Sequence, residues 1–305
     1  MTEAGTTPAP LHHRTVMLEE TLSALDPRSG AVYADATLGG GGHTEGVLRR
    51  SAPEGRVIGV DRDPKALAAA RERLSEFAPR VTFVHGAFGD VAQLLAEVGQ
   101  PQVDGLIADL GVSSPQLDEA ERGFSFRADG PLDMRMDPTR GQTAAELIAS
   151  LSETELADVI YQLGEERKSR RIARVVKEAS DAGALETTGD LQRAVHRAVG
   201  GRRGKIDPAT RTFQALRIAV NDELGQLDRL LAALPAVLAD DGVAVLISFH
   251  SLEDRKVKRF FKAHEALAPL TKKPVVATDE ERADNPRARS AKLRAARRIP
   301  REVAA

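Results

Sequence analysis

The residues with the clearest chemical promise are two carboxylates and the glycines between them. Asp35 ends a short apolar run that begins at Ala31, and Gly39-Gly40-Gly41-Gly42-His43 follows it. Asp61 then closes a second apolar run, Val57-Ile58-Gly59-Val60. A carboxylate at a strand end suits ribose hydroxyls, and a glycine loop lets backbone approach a ligand, so the pattern is that of a nucleoside site on an α/β sheet. It is not the dinucleotide fingerprint. After Gly39 and Gly41 the third glycine position holds Thr44, and after Gly40 and Gly42 it holds Glu45. For a glycine run alone, a flexible turn is the plain alternative.

These residues need a scaffold. Residues 31–36, 56–61, 81–85, 103–109 and 242–249 are near-continuous apolar runs, as expected of parallel strands covered on both faces. Helical patterns separate the first four: Pro64 stands ahead of Ala66-Leu67-Ala68-Ala69-Ala70, and Asp90 ahead of Val91-Ala92-Gln93-Leu94-Leu95. Such alternation gives right-handed βαβ units. After Asp109 more than a hundred residues pass before the next strand, too many for a connection. In that interval Thr143 with Glu146 and Ser152 with Glu155 fit capping boxes, and Gly164 suits a helix stop. Residues 165–178 and 189–199 also have helical spacing, and 200–205 read as a mobile basic loop. The expected organisation is a disordered tail (1–10), a sheet domain (11–116 and 208–305) and a helical domain inserted after the fourth strand (117–207). Helices at 209–221, 223–239 and 252–264 belong to the resumed sheet domain. Residues 274–277 and 290–298 suit an antiparallel edge hairpin, although the arginines of 290–298 also suit a helix.

Composition narrows the classes. With 42% apolar and 29% charged residues the chain reads as a soluble globular protein, and no apolar run approaches a membrane span. The opening ten residues lack the apolar core of a signal peptide. There is no cysteine, so disulfides and thiolate metal sites are excluded, and no His/Asp/Glu spacing resembles a closed zinc site. The expected compartment is the cytoplasm. The net charge of −2 is unevenly spread. Residues 167–217 carry 13 basic and 5 acidic side chains and residues 251–305 carry 15 and 8, against 14 and 27 in residues 1–166. Two basic blocks on an acidic body suit phosphate contact, or simply two solvated helical faces.

Longer motifs sharpen the reading. His12-His13-Arg14-Thr15-Val16-Met17-Leu18, the glycine loop and Asp61-Arg62-Asp63-Pro64 precede Asp109-Leu110-Gly111-Val112-Ser113-Ser114-Pro115-Gln116-Leu117-Asp118. Then come Arg122-Gly123-Phe124-Ser125-Phe126, Gly130–Asp137, Pro208–Ala215, Ser248–Arg255 and Asn285-Pro286-Arg287-Ala288-Arg289-Ser290. In this order, from about His12 to Arg298, they resemble the bacterial small-subunit ribosomal RNA methyltransferase H family. The resemblance implies a Rossmann-like sheet, S-adenosyl-L-methionine as cofactor, and methylation of N4 of a decoding-region cytidine in 16S ribosomal RNA. The substrate would be RNA within the small subunit, with monomer or homodimer left open. It also implies cofactor contacts at Gly41, Gly42, His43, Asp61, Phe88, Asp109 and Gln116.

On the acceptor side, Ser113-Ser114-Pro115-Gln116 departs from the Asp/Asn/Ser-Pro-Pro-aromatic run of many amino-methyltransferases. Asp109, Ser113 and Ser114 are the first candidates to hold the amine, with His250 second; a turn or helix cap is the other use of the serines. Arg135 is expected on phosphate unless Asp133 or Asp137 pairs with it, and Arg202, Arg203 and Lys205 are expected on RNA. No metal is required. Without a thiolate, the covalent route to carbon 5 of a pyrimidine is closed. The rival readings are a noncatalytic RNA-binding or assembly factor with a vestigial pocket, a DNA amino-methyltransferase, and a nicotinamide-dependent oxidoreductase.

Overall fold

The apolar runs become strands of one sheet: β1 (Val32–Asp35), β2 (Arg56–Asp61), β3 (Val81–His85), β4 (Val103–Asp109), β5 (Leu238–Ser248), β6 (Leu267–Pro269) and β7 (Lys292–Arg298). These come from a computed structural model, which describes residues 15–201 and 206–300. The expected tail and the loop residues Arg202, Arg203 and Lys205 lie outside the described residues. The strand order is β3-β2-β1-β4-β5-β7-β6, with β1 to β5 parallel and β7 antiparallel to both its neighbours. This is the Rossmann-like arrangement expected from the sequence.

Alternation along the strands supplies both faces. Tyr33, Val57, Ile107 and Val245 pack one way, with Leu22, Leu25, Val47 and Leu48 of the helices Leu18–Leu25 and Gly42–Arg50. Ala34, Ile58, Leu106 and Ala244 pack the other way, against Leu227, Leu230 and Leu231 of the helix Glu223–Val237. A strand buried on both faces needs apolar residues throughout, which is why the runs are continuous. The edge strand β3 is only partly buried.

The C-terminal edge differs in detail from expectation. The edge strand is Leu267–Pro269, while Val275 makes only an isolated bridge to Leu293. Lys292–Arg298 is a strand in which Arg294 and Arg298 are buried with partners and Arg297 is exposed. Arg294 Nε donates to Asp254 at 2.7 Å, and Arg298 donates to the carbonyls of Pro235, Ala266 and Ile299. With their N–H groups taken up in this way, Arg294 paired to a carboxylate and Arg298 bonded to carbonyls, these arginines fit the sheet although their type suggested a polar helix face.

Between β4 and β5 lies a separate helical core, built on Ala144–Ser150, Glu153–Gly164, Ser169–Asp181 and Thr188–Val199. Both expected capping boxes form: Thr143 and Glu146 exchange bonds at 2.8 and 3.2 Å, and Ser152 and Glu155 at 2.8 and 3.3 Å. Gly164 is the last residue of its helix, but Glu165 takes the left-handed turn (φ 50°). Gly164 is needed for contact instead, because a Cβ there would lie 2.5 Å from the carbonyl oxygen of Arg211. That carbonyl belongs to the helix Ala209–Asn221, whose Ala209, Phe213 and Leu216 share the helical core. The helix Glu223–Val237 that follows Asp222 (φ 48°) packs on the sheet.

Candidate active site

Strand registers bring three carboxylates to one edge of the sheet: Asp35, Asp61 and Asp109 end β1, β2 and β4. Asp35 is 1% exposed and accepts from Thr44 Oγ1 at 2.8 Å and Thr37 N at 3.2 Å. Burial pushes its pKa up to about 6 against those bonds. Asp61 is also raised by burial, while its two oxygens accept from Gly39 N at 2.7 Å and Asp63 N at 2.8 Å. The glycine loop is thus tied to both acids before any ligand arrives. Gly39 (φ 52°) and Gly41 (φ 80°) occupy the left-handed region, which glycine enters without a Cβ penalty.

A cavity of about 360 Å³ opens over this edge. Of the residues expected to act, Gly42, His43, Asp61, Phe88, Asp109, Ser113, Ser114 and Gln116 line it. Gly41 does not line it and faces Leu74 and Ala70, so it shapes the loop instead. At Gly42, the first residue of its helix, a Cβ would fall 1.9 Å from Thr15 Oγ1 across the cavity rim. His43 is buried, and its pKa is pushed down to about 4 by burial, so its ring is neutral. Its Nε2 lies 3.0 Å from the carbonyl of Val16, which accepts only from N–H. The ring's one proton is therefore spent there. Nδ1 is left as an acceptor, and His43 does not have a proton to donate to a cofactor carboxylate.

The serine run is a helix start. Ser113 caps the short helix Ser114–Asp118: its amide donates to Gln116 Oε1 at 3.0 Å and its hydroxyl accepts from Gln116 N at 3.4 Å. Gln116 Nε2 donates to Asp63 Oδ2 at 3.0 Å, and Arg122 pairs with the same oxygen at 2.8 Å. Gln116 thus has both ends of its amide engaged within the protein. Ser114 Oγ accepts from Arg287, and a second nitrogen of Arg287 donates to the carbonyl of Val112.

Arg287 lies 171 positions beyond Gln116 in the sequence, and only the fold brings it to the cavity. Asp109 stands out by what it lacks. Its amide donates to Thr37 Oγ1 at 2.6 Å, but its carboxyl Oδ1 is buried with no hydrogen-bond partner. Burial, opposed by the charge of Arg287 and helped by those of Asp35 and Glu253, pushes its pKa up to about 7.

Two expected residues fall elsewhere. His250 does not line the cavity; it caps the helix Ser251–Ala263, with Nδ1 accepting from Glu253 N at 3.4 Å and Nε2 3.1 Å from Glu253 Oε1. Glu223 lies close by, so that one ligand atom from each of Glu223, His250 and Glu253 falls within 4.8 Å of the others, a grouping that linear spacing did not show. Arg217 already holds Glu223 by two bonds, at 2.7 and 2.8 Å, and Glu253 Oε2 accepts from Phe249 N at 2.8 Å. The group anchors the end of β5. Arg135 is gripped by Asp133 through two bonds of 2.8 Å and lines a second cavity, of about 390 Å³, with Arg62, Asp137 and Arg140.

The chain is similar to known proteins over most of its length. A family model described as the MraW methylase family matches residues 10–299. A protein of Sorangium cellulosum named ribosomal RNA small subunit methyltransferase H is 62% identical over 94% of this chain and 91% of its own. Proteins of the same name from Deinococcus radiodurans and a Geobacter species are 50% and 48% identical, covering 97% and 94% of this chain and 93% and 99% of theirs. With the glycine loop, the three strand-end acids and the inserted helices all within the matched residues, the chain belongs to the MraW methylase family.

Proposed function

We propose that this methyltransferase uses S-adenosyl-L-methionine to methylate N4 of a cytidine in the decoding region of 16S ribosomal RNA, by direct in-line transfer without a covalent adduct. The observation that carries the reading is Asp109, which lines the cavity opposite the glycine loop and whose carboxyl keeps a buried oxygen, Oδ1, without a partner among the described residues. The names of the relatives support the substrate.

The residues present fit the cofactor. Gly42 lines the cavity and lets Thr15 close onto its rim, where a Cβ would collide, Asp61 retains lone pairs for ribose hydroxyls, and Phe88 offers a flat apolar face to adenine. When bound, the cofactor supplies an electrophilic methyl on a sulfonium, and transfer breaks that C–S bond with its electron pair left on sulfur. The chain's own task is to prepare a poor nucleophile, because the lone pair of a cytosine amine is delocalised into the ring. Asp109 Oδ1 accepts an N4–H, which turns the lone pair toward the methyl. As the N–C bond forms, N4 gains positive charge and must lose a proton. A carboxylate with a pKa of about 7 accepts it near neutral pH.

The RNA would run over the insert. Arg167, Arg170 and Arg171 are exposed and have no ion-pair partner among the described residues. Arg202, Arg203 and Lys205 extend the same basic block. Incubating labelled cofactor with small subunits from a strain lacking the gene, followed by nucleoside mass spectrometry, tests the reading. N4-methylcytidine is expected; 5-methylcytidine, or no methylated nucleoside, overturns it.

A further inference from the structure

Arg287 reaches the cavity on the short turn Pro286–Arg289 and is half-buried there. Two of its five N–H groups are spent on Ser114 Oγ and the Val112 carbonyl, and the other three have no hydrogen-bond acceptor among the described residues. No carboxylate among the described residues lies within 4.0 Å of it; Asp109 and Asp118 act on it only through their fields. A guanidinium taken part-way out of water without a carboxylate is costly unless something else accepts from it. Asp109, whose buried Oδ1 is an acceptor with no donor among the described residues, lines the same cavity. One acceptor and one fork of donors thus line the same cavity, each within reach of the other's field but joined by no ion pair.

The pairing edge of cytosine is the complement of that arrangement, with an amine donor at N4 and acceptors at N3 and O2. Uracil presents a carbonyl at position 4 and an N–H at position 3, so it opposes acceptor to acceptor and donor to donor. We infer that Arg287 is the residue that selects cytosine, its free N–H groups donating to N3 and O2 of the ring whose amine faces Asp109. This rests on the function proposed above. The serine run then has a second purpose: Ser114 and the carbonyl of Val112 aim the guanidinium, which explains why a helix start stands where many amino-methyltransferases place a proline-aromatic pair.

The test removes one acceptor from the base and the donors from the protein. The substrate is a small-subunit RNA carrying 3-deazacytidine, with carbon in place of N3, at the target position found with the wild-type enzyme. Transfer is followed in single turnover at saturating cofactor. Arg287→Met should lower the rate on cytidine by about tenfold to hundredfold, the range for losing a charged hydrogen bond, and should cost clearly less on 3-deazacytidine, where only the bond to O2 remains to be lost. The intrinsic reactivity of the altered base cancels in this comparison. An equal loss on both substrates, with a salt slope shallower by about one unit, would place Arg287 on phosphate and overturn the inference. Calorimetry with S-adenosylhomocysteine checks that the variant is folded; if it is not, Arg287→Lys, which keeps the charge and loses the fork, takes its place in the same comparison. Absence of N4-methylcytidine from unmodified RNA with wild-type enzyme would instead defeat the function reading, and this inference with it.

Discussion

The two halves of the cavity are built on opposite plans. On the glycine-loop side the polar groups are already engaged: Asp61 holds Gly39 and Asp63, Asp35 holds Thr37 and Thr44, and His43 holds Val16. On the Asp109 side they are kept open. Asp109 Oδ1 has no partner, and Arg287 has N–H groups to spare. A pre-tied loop offers a fixed surface to a ligand and loses little entropy on binding. Unspent groups raise the free energy of the empty site and return it only when the correct partner arrives. The difference suggests binding on one side and chemistry on the other.

The strongest way to break that division is Asp109→Asn, which keeps an acceptor but removes the base. Its single-turnover rate at saturating cofactor should fall by about 10²–10⁴-fold. The wild-type rate should decline as pH falls through about 7, because protonated Asp109 cannot accept the proton, and the variant should lack that limb. A saturated rate equal to wild type would assign Asp109 to the cofactor alone.

Stability gives a second view of the same open carboxyl. Its pKa is higher folded than unfolded, so it favours the native state below about pH 4, and this contribution is lost as pH rises through about 7. Asp109→Asn should therefore be more stable than wild type at pH 8, by on the order of 2–4 kcal/mol, with the gap closing toward pH 4. Denaturant melts at the two pH values measure it; a pH-independent difference would show that the carboxyl is not strained by burial.

The tied half should respond in binding instead. Asp61→Ala removes a ribose acceptor and frees the Gly39 amide, so affinity for S-adenosylhomocysteine should weaken by about 1.5–3 kcal/mol while the saturated transfer rate stays near wild type. Calorimetry and single-turnover assays on one preparation separate the two, and a saturated rate that fell as far as that of Asp109→Asn would erase the distinction. The smallest effect belongs to Arg135. Because Asp133 already grips it, Arg135→Ala should change RNA affinity by less than about threefold, whereas neutralising Arg202, Arg203 and Lys205 together should flatten the salt dependence by up to about one unit per lost contact. Filter binding across a salt series checks both.

The same contrast governs what could be read from the sequence. The tied half is local: an acid, a glycine run and a second acid lie within 27 residues, each at a strand end that apolar runs announce. The open half is assembled from distant pieces. Nothing near Arg287 marks it as belonging beside Ser114, and Ser113-Ser114-Pro115 has the composition of a cap, which it also is. His250 sits at a strand end like the three acids and so looked equivalent to them. Its ring instead turns to Glu253, a preference set by the helix it caps. The arginines of β7 misled in a similar way, since spacing cannot show that Asp254 and three carbonyls await them.

The position of β7 between β5 and β6 has a consequence for vectorial synthesis. The strand made last is not the outermost one. Until it emerges, Leu238–Ser248 presents a bare row of amides and carbonyls, and Leu267–Pro269 has nothing to pair with. Arg287 lies only five residues before that strand. One late event on the ribosome therefore covers an adhesive edge and delivers the guanidinium to the cavity, long after the glycine loop between β1 and β2 has been made.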